Sequence, residues 1–192
     1  MLDYTVAYIG ESVYELLFWF FSYSIFGWIF ESTYMSFCNK KLTNRGFVHG
    51  PICPIYGFGG TMVHFILRGF ADNYIILYMA GALLATALEF LTAKLMSGTL
   101  GYVWWDYSNK PYNYKNIICL ESTLAWGVCS VLEVAVFSKV VMCMMNTIPI
   151  IWGKRIVVAL AVYYIIDMAY CLLRVKKGDV EADENNIMVV TK

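Results

Sequence analysis

The sequence is poor in charge. Only 15% of its 192 residues are Asp, Glu, Lys or Arg, whereas 60% are hydrophobic. Soluble domains carry about 25% charged residues, because polar groups must cover their surface. The composition therefore excludes an ordinary soluble domain. Lys plus Arg and Asp plus Glu are equal at 14 each, so there is no net basic charge to recruit nucleic acid, and we predict no such partner.

Several motifs are also missing. The six cysteines include no CxxC pair, which speaks against a disulfide framework, and the two histidines form no HxxxH spacing. We accordingly predict no metal and no other cofactor. A GxxxxGK[ST] phosphate loop is absent too, so the chain cannot hydrolyse ATP through that motif. Whether the protein is an enzyme stays open at this point, although the missing motifs make a non-enzymatic role the favoured one.

Long apolar runs are what the sequence does have. A membrane-crossing helix needs about 20 apolar residues, and we predict about five such spans, at 13–37, 51–67, 74–95, 117–145 and 156–173. The second is short and carries Pro51, Pro54 and three glycines, which indicates a broken or re-entrant span. The fold class is therefore an all-α polytopic membrane bundle, with six spans as the alternative count. Residues 1–176 form one domain, and residues 177–192 form a polar tail that we expect to be disordered.

Basic residues predict the orientation of the bundle, because cytoplasmic loops are enriched in Lys and Arg. With five spans, one side carries eight of the basic loop and tail residues, namely Lys40, Lys41, Arg45, Lys110, Lys115, Arg174, Lys176 and Lys177. The other side carries only Arg68, Lys154 and Arg155. We therefore place the N-terminus outside and the C-terminus in the cytoplasm.

Carboxylates within the spans are the first candidates for a site, since a charged group at the membrane centre costs about 2.5–3.5 kcal/mol. Glu31, Glu89, Glu121 and Asp167 come from four spans and share the predicted cytoplasmic leaflet. Each could instead snorkel or stay protonated, and Glu121 suits the first turn of its helix in any case. Glu133 lies deeper, as a separate element.

Two connecting segments face the same leaflet. In the first, residues 44–57, Arg45 could pair with Glu31 or hold an anion, or it could simply follow the positive-inside pattern. The second, residues 98–116, is rich in aromatic residues and could form either a lid over the carboxylates or an interfacial belt. The candidate residues for binding a substrate or ion are Glu31, Asn44, Arg45, His49, Glu89, Thr92, Asp106, Asn113 and Glu121.

Motifs between residues 24 and 127 resemble a known family. They comprise residues 24–28 with Glu31, the segment 44–57, Glu89 with Thr92, residues 105–108, and residues 118–122 with Trp126. Together they resemble the bacterial ABC-transporter permease family of the CmpB type. The resemblance implies a multi-spanning protein of the bacterial inner membrane. One departure is Asn116, at a position where we expect glycine from the family pattern.

These observations favour a membrane permease or transporter subunit that moves a small solute or ion through a polar site near the cytoplasmic leaflet. The expected environment of the protein is the lipid bilayer. An ATPase would have to be a separate subunit. Whether the chain forms a homo-oligomer is left open. The alternative is an intramembrane enzyme acting on a lipid or isoprenoid, with Glu31 and Glu89 as acid and base and Arg45 on a phosphate. A non-catalytic assembly subunit is the third interpretation.

Overall fold

The computed structural model describes residues 2–6, 10–177 and 188–189, and these residues form a bundle of five helices. The helices are α1 (Val13–Asn39), α2 (Pro54–Leu67), α3 (Tyr74–Leu100), α4 (Leu120–Thr147) and α5 (Ile150–Lys177). All except α2 are long and apolar enough to cross a membrane. The prediction of an all-α membrane bundle with about five helices is confirmed.

The short helix α2 packs between α1 and α3, while α4 packs against α3 and α5 packs against α1. α2 runs antiparallel to α1, since Arg68 at its end forms an ion pair of 3.8 Å with Glu11, just before α1 begins. Most of α5 is exposed, including large apolar side chains such as Ile165 and Ile166. An exposed apolar face of this length is the surface that a membrane helix presents to lipid.

Glycines let α1 and α2 approach closely. A β-carbon at Gly27 would lie 2.2 Å from the Tyr56 side chain, and one at Gly60 would lie 2.6 Å from the ring of Tyr23. Small residues at such contacts are typical of membrane helix pairs. Of the three glycines that we interpreted as signs of a break, Gly57 and Gly60 are therefore packing positions against α1, whereas a β-carbon at Gly59 would meet nothing closer than 3.5 Å. The break lies before them, at Pro54, which begins α2 because proline fits the first helical turn.

The first part of the predicted second span is irregular. This inserted segment, residues 44–53, runs along the second half of α1, where the Arg45 N–H donates to Ser32 Oγ (3.1 Å) and the Cys53 N–H donates to the Ser24 carbonyl (3.0 Å). Val48 and Ile52 are at most 2% exposed and belong to the core that α1 shares with α5. Non-helical backbone within a membrane protein is tolerated where protein buries it, and the segment is buried at Val48, Gly50, Ile52 and Cys53 but exposed at Asn44, His49 and Pro51. The predicted second span is therefore an irregular segment followed by the short helix α2.

Several helix boundaries differ from the prediction, and three of these differences have a clear local reason. α4 begins at Leu120 rather than 117, because residues 118–119 pair as a strand. α5 begins at Ile150 rather than 156, directly after Pro149, so the two helices are joined by a two-residue turn. α3 continues to Leu100 and ends at Gly101, whose φ of 84° suits glycine. Within α4, residues Glu133–Phe137 form a π-helical turn.

The loop between α3 and α4, residues 101–119, is called here the aromatic loop. It carries the strands β1 (Tyr102–Val103), β2 (Asn113–Tyr114) and β3 (Ile118–Cys119), and β2 pairs antiparallel with β3. At their turn Asn116 has φ 61°, a left-handed conformation that glycine adopts freely and that asparagine tolerates better than most residues. This explains how Asn116 stands where we expected glycine.

β1 also pairs antiparallel with β4 (Met188–Val189) from the end of the chain. The predicted disordered tail, residues 177–192, falls mainly on positions 178–187 and 190–192, which lie outside the described residues. The aromatic loop touches the inserted segment through an edge-to-face contact of Trp104 with Phe47 (ring centroids 5.6 Å apart). The two irregular segments therefore meet at one end of the bundle, the end where α1 finishes and α4 begins.

Candidate functional site

Glu89 is a buried carboxylate held only by neutral donors. It lies on α3 and is 3% exposed. Its Oε1 accepts a hydrogen bond from Tyr107 Oη (2.8 Å), and its Oε2 accepts from Trp126 Nε1 (3.1 Å) and Ser122 Oγ (3.3 Å). Among the described residues, no basic side chain lies within ion-pair distance of it. A buried carboxylate without a cation is costly, which makes Glu89 the most unusual group at this end of the bundle.

The donors to Glu89 come from α4 and from the aromatic loop. Ser122 and Trp126 are four residues apart on α4, so they lie on the same helix face. Tyr107 comes from the aromatic loop, and its backbone N–H donates to the Asn116 carbonyl (2.9 Å). Burial raises the pKa of the Tyr107 hydroxyl, and the nearby Glu89 carboxylate raises it further. The hydroxyl therefore keeps its proton and acts as a donor.

A second polar cluster surrounds Glu31 on α1. Arg45 Nη2 lies 3.3 Å from Glu31 Oε1, and the Tyr56 hydroxyl donates to Glu31 Oε2. Nearby, Trp28 Nε1 donates to Asn44 Oδ1 (2.6 Å), and the Asn44 amide donates in turn to the His49 carbonyl (2.8 Å). These bonds fix the inserted segment against α1. Glu31 and Arg45 compensate each other's charge.

Tyr56 and Trp126 connect the two clusters. Their rings meet edge to face with centroids 5.4 Å apart, while the Tyr56 hydroxyl binds Glu31 and the Trp126 indole binds Glu89. Among the candidates from the sequence, the structure thus brings Glu31, Asn44, Arg45 and Glu89 into one network. We call the charged and polar part of it, Glu31, Arg45, Tyr56, Trp126 and Glu89, the carboxylate network.

Other sequence candidates lie outside the carboxylate network. Thr92 is one turn from Glu89, but its hydroxyl makes no hydrogen bond to any described residue. Asp106 accepts both of its hydrogen bonds from Ser108, and the Asn113 side chain bonds within the aromatic loop. The loop does reach Glu89, but through Tyr107, whose role the sequence analysis did not identify.

Glu121 and His49 also point elsewhere. Glu121 is exposed and pairs with Lys110, with N···O distances of 2.9 and 3.0 Å. Through this hydrogen bond Glu121 raises the pKa of the Lys110 ammonium group. His49 turns towards α5, where it contacts Asp167 and Cys171. His49 therefore belongs to a separate cluster.

A further buried cluster lies deeper in the bundle, around Glu133, which the sequence analysis treated as a separate element. Glu133, at the start of the π-helical turn, accepts from the Tyr23 hydroxyl and lies 3.4 Å from His64 Nδ1. Trp19 stacks on the His64 ring at 4.1 Å. His64 also lines an open groove of about 540 Å³ beside the second half of α4. The intramembrane positions of His64 and Glu133 were a usable signal, but nothing in their spacing predicts that they meet.

Comparison with known proteins identifies a family. A family model described as "Putative ABC-transporter type IV" (ABC_trans_CmpB) matches residues 18–172, which include all five helices in whole or in large part. No curated protein and no solved structure matches the chain. The matched range covers every residue of the carboxylate network.

Proposed function

The chain belongs to the putative ABC-transporter type IV family, and we propose that it is a membrane-embedded transporter subunit for a small cation or a small solute with positive charge. The positive charge proposed for the solute rests on the surroundings of Glu89. Glu31 has Arg45 as its counter-ion, whereas Glu89 has only neutral donors among the described residues. With Glu89 ionised, the carboxylate network has one negative charge in excess, which a bound cation would neutralise.

The inserted segment supports transport as the role of this network. Transporter sites are commonly built where a membrane helix is interrupted, because the freed backbone groups can face a solute. Here residues 44–53 precede α2 without helical hydrogen bonding and lie beside Glu31. We infer that a solute passes between this segment and α3. The contact between Phe47 and Trp104 joins the inserted segment to the aromatic loop at this end of the bundle.

An intramembrane lipid enzyme is less well supported. In that interpretation Arg45 would hold a substrate phosphate, and it would have to offer its guanidinium group to the ligand. Arg45 Nη2 instead lies 3.3 Å from Glu31, and the side chain is only 12% exposed. A phosphate would therefore compete with a carboxylate already in place.

A separate ATPase is the partner that an ABC-type mechanism requires, since this sequence has no phosphate loop. We propose that it docks on the end of the bundle where the inserted segment and the aromatic loop meet. That end carries nearly fully exposed apolar side chains, with exposures of 86% for Phe37, 99% for Leu42 and 83% for Tyr112. Its basic residues, such as Lys40 and Lys110, support a cytoplasmic position for this end by the positive-inside rule.

The cation proposal is tested by melting the purified full chain in mild detergent during titrations with Na⁺, K⁺ and Mg²⁺. Fluorescence provides the readout, since Trp126 contacts Glu89 directly. We expect one of these ions to raise the melting temperature saturably in the wild type. The effect should persist in Glu121→Gln, whose carboxylate is exposed, and disappear in Glu89→Gln. A wild type that no cation stabilises, combined with a higher melting temperature for Glu89→Gln, would contradict the proposal.

The partner proposal is tested by native mass spectrometry of the protein extracted gently from its own membrane. We expect a nucleotide-binding subunit in stoichiometric amount, and we expect Leu42→Asp to reduce its recovery at least tenfold. Tyr4→Asp is the control, because Tyr4 is also exposed (69%) but lies at the opposite end of α1. Recovery of the chain without an ATPase from the wild type would overturn the ABC-type assignment of the partner.

A further inference from the structure

His49, Asp167 and Cys171 bring three different ligand types together. Asp167 and Cys171 are four residues apart on α5 and therefore share one face of that helix. His49 comes from the inserted segment, 118 positions before Asp167. The ligand atoms of all three side chains lie within 4.8 Å of one another. The sequence analysis predicted no metal because the cysteines and histidines show no ligand spacing, and a cluster of residues this far apart in the chain leaves no such spacing.

The distances suit a single metal ion. His49 Nδ1 lies 3.2 Å from Asp167 Oδ1 and 3.1 Å from Cys171 Sγ, and Cys171 Sγ lies 3.8 Å from Asp167 Oδ1. A tetrahedral zinc ion has bonds of about 2.0–2.3 Å to these ligand types, which separates neighbouring ligand atoms by about 3.3–3.6 Å. The three observed separations therefore differ from those of a zinc site by a few tenths of an ångström each.

The surroundings of Asp167 are also those of a metal ligand. Its second oxygen, Oδ2, accepts a hydrogen bond from the Gly50 N–H at 2.8 Å, which fixes the carboxylate orientation. Outer-shell hydrogen bonds of this kind orient the ligands in protein metal sites. Cys171 is buried, whereas the His49 side chain is 54% exposed. The cluster is therefore closed on the helix side and open on the histidine side.

We propose that His49, Asp167 and Cys171 form a three-ligand site for a divalent transition-metal ion of the Zn²⁺ class, with one coordination position left for water or another ligand. Mixed nitrogen, oxygen and thiolate ligands favour such ions over Mg²⁺ or Ca²⁺, which prefer oxygen. The bound ion would fasten the inserted segment to α5. The inference uses no residue of the carboxylate network and does not depend on the proposed transport function.

The test is a Co²⁺ titration of the purified full chain under reducing conditions, followed by absorption spectroscopy. Thiolate coordination produces a sulfur-to-cobalt charge-transfer band in the near ultraviolet, a signature that a merely structural cysteine does not give. We expect this band to saturate at one Co²⁺ per chain and to be displaced by Zn²⁺. In Cys171→Ser the band should be lost, and the affinity for Zn²⁺ should fall at least about tenfold.

Two variants make the result decisive. Cys129→Ser removes a partly buried cysteine of α4 outside the cluster and should leave the band unchanged. His49→Gln replaces the exposed ligand and leaves every residue of α5 in place, so it tests the site even where Cys171→Ser unfolds, and it should weaken Co²⁺ binding. Absence of the band in the wild type, or an equal band in Cys171→Ser, would overturn the proposal and leave the cluster as a hydrogen-bonded contact between the inserted segment and α5.

Discussion

Gly57 of α2 lies directly against Ser24 of α1. A β-carbon built on Gly57 would lie 2.1 Å from Ser24 Oγ and 2.7 Å from the ring of Phe20. Ser24 is fully buried and its carbonyl also accepts the Cys53 N–H, so it has little freedom to move. The contact therefore sets how closely α2 approaches α1, and with it the position of Tyr56 beside Glu31.

Replacing Gly57 with alanine should accordingly destabilise the protein. Overpacking of a closely packed contact costs about 1–3 kcal/mol, and we expect a loss of unfolding free energy in this range. Gly59→Ala on the same helix is the matched control, because its β-carbon would meet nothing closer than 3.5 Å. Thermal unfolding in mild detergent measures both. An equal melting temperature for the two variants would show that α1 and α2 can separate without cost.

Loss of the Tyr107 hydroxyl should expose the cost of burying Glu89. In Tyr107→Phe the carboxylate keeps only Trp126 and Ser122 as donors, and we expect a loss of about 1–3 kcal/mol in stability. Tyr112→Phe in the same loop should have no measurable effect, since Tyr112 is 83% exposed. Unfolding curves of both variants at one pH and one salt concentration provide the comparison.

Tyr23 and Tyr14 offer a second matched pair on α1. Both are buried, but the Tyr23 hydroxyl donates to Glu133, whereas the Tyr14 hydroxyl has no partner among the described residues. Tyr23→Phe should therefore destabilise the protein by about 1–3 kcal/mol, while Tyr14→Phe should be neutral or stabilising. If the Tyr14 variant proves the less stable one, the hydrogen bond to Glu133 is not what distinguishes the two tyrosines.

The ion pairs Glu31–Arg45 and Lys110–Glu121 should differ in strength. The first is mostly buried, with side-chain exposures of 25% and 12%, and we expect a coupling energy of about 1–3 kcal/mol. The second is exposed, and its coupling should stay below about 1 kcal/mol and decrease with salt. Double-mutant cycles with Gln at each position measure both energies. Equal coupling in the two cycles would mean that water reaches Glu31 as freely as it reaches Glu121.

The sequence was sufficient for the fold class and for the break in the second span. Low charge and long apolar runs demand a membrane bundle, since no soluble surface can be built from them. Pro51 and Pro54 disfavour a regular helix through this stretch whatever the packing around it, because proline lacks the N–H that the helix needs. The charge of Glu31, Arg45 and Glu89 at one predicted depth was likewise visible from position along the spans.

Only the tertiary structure decided which of those charged groups lies next to an opposite charge. Arg45 meets Glu31 and not Glu89 because the inserted segment lies along α1, and no periodicity in the sequence encodes that path. The donors to Glu89 are neutral residues of a loop and another helix, so charge patterns could not reveal them. His49 reaches Asp167 and Cys171 for the same reason. Contacts between distant segments depend on helix packing, whereas apolar length and proline act locally.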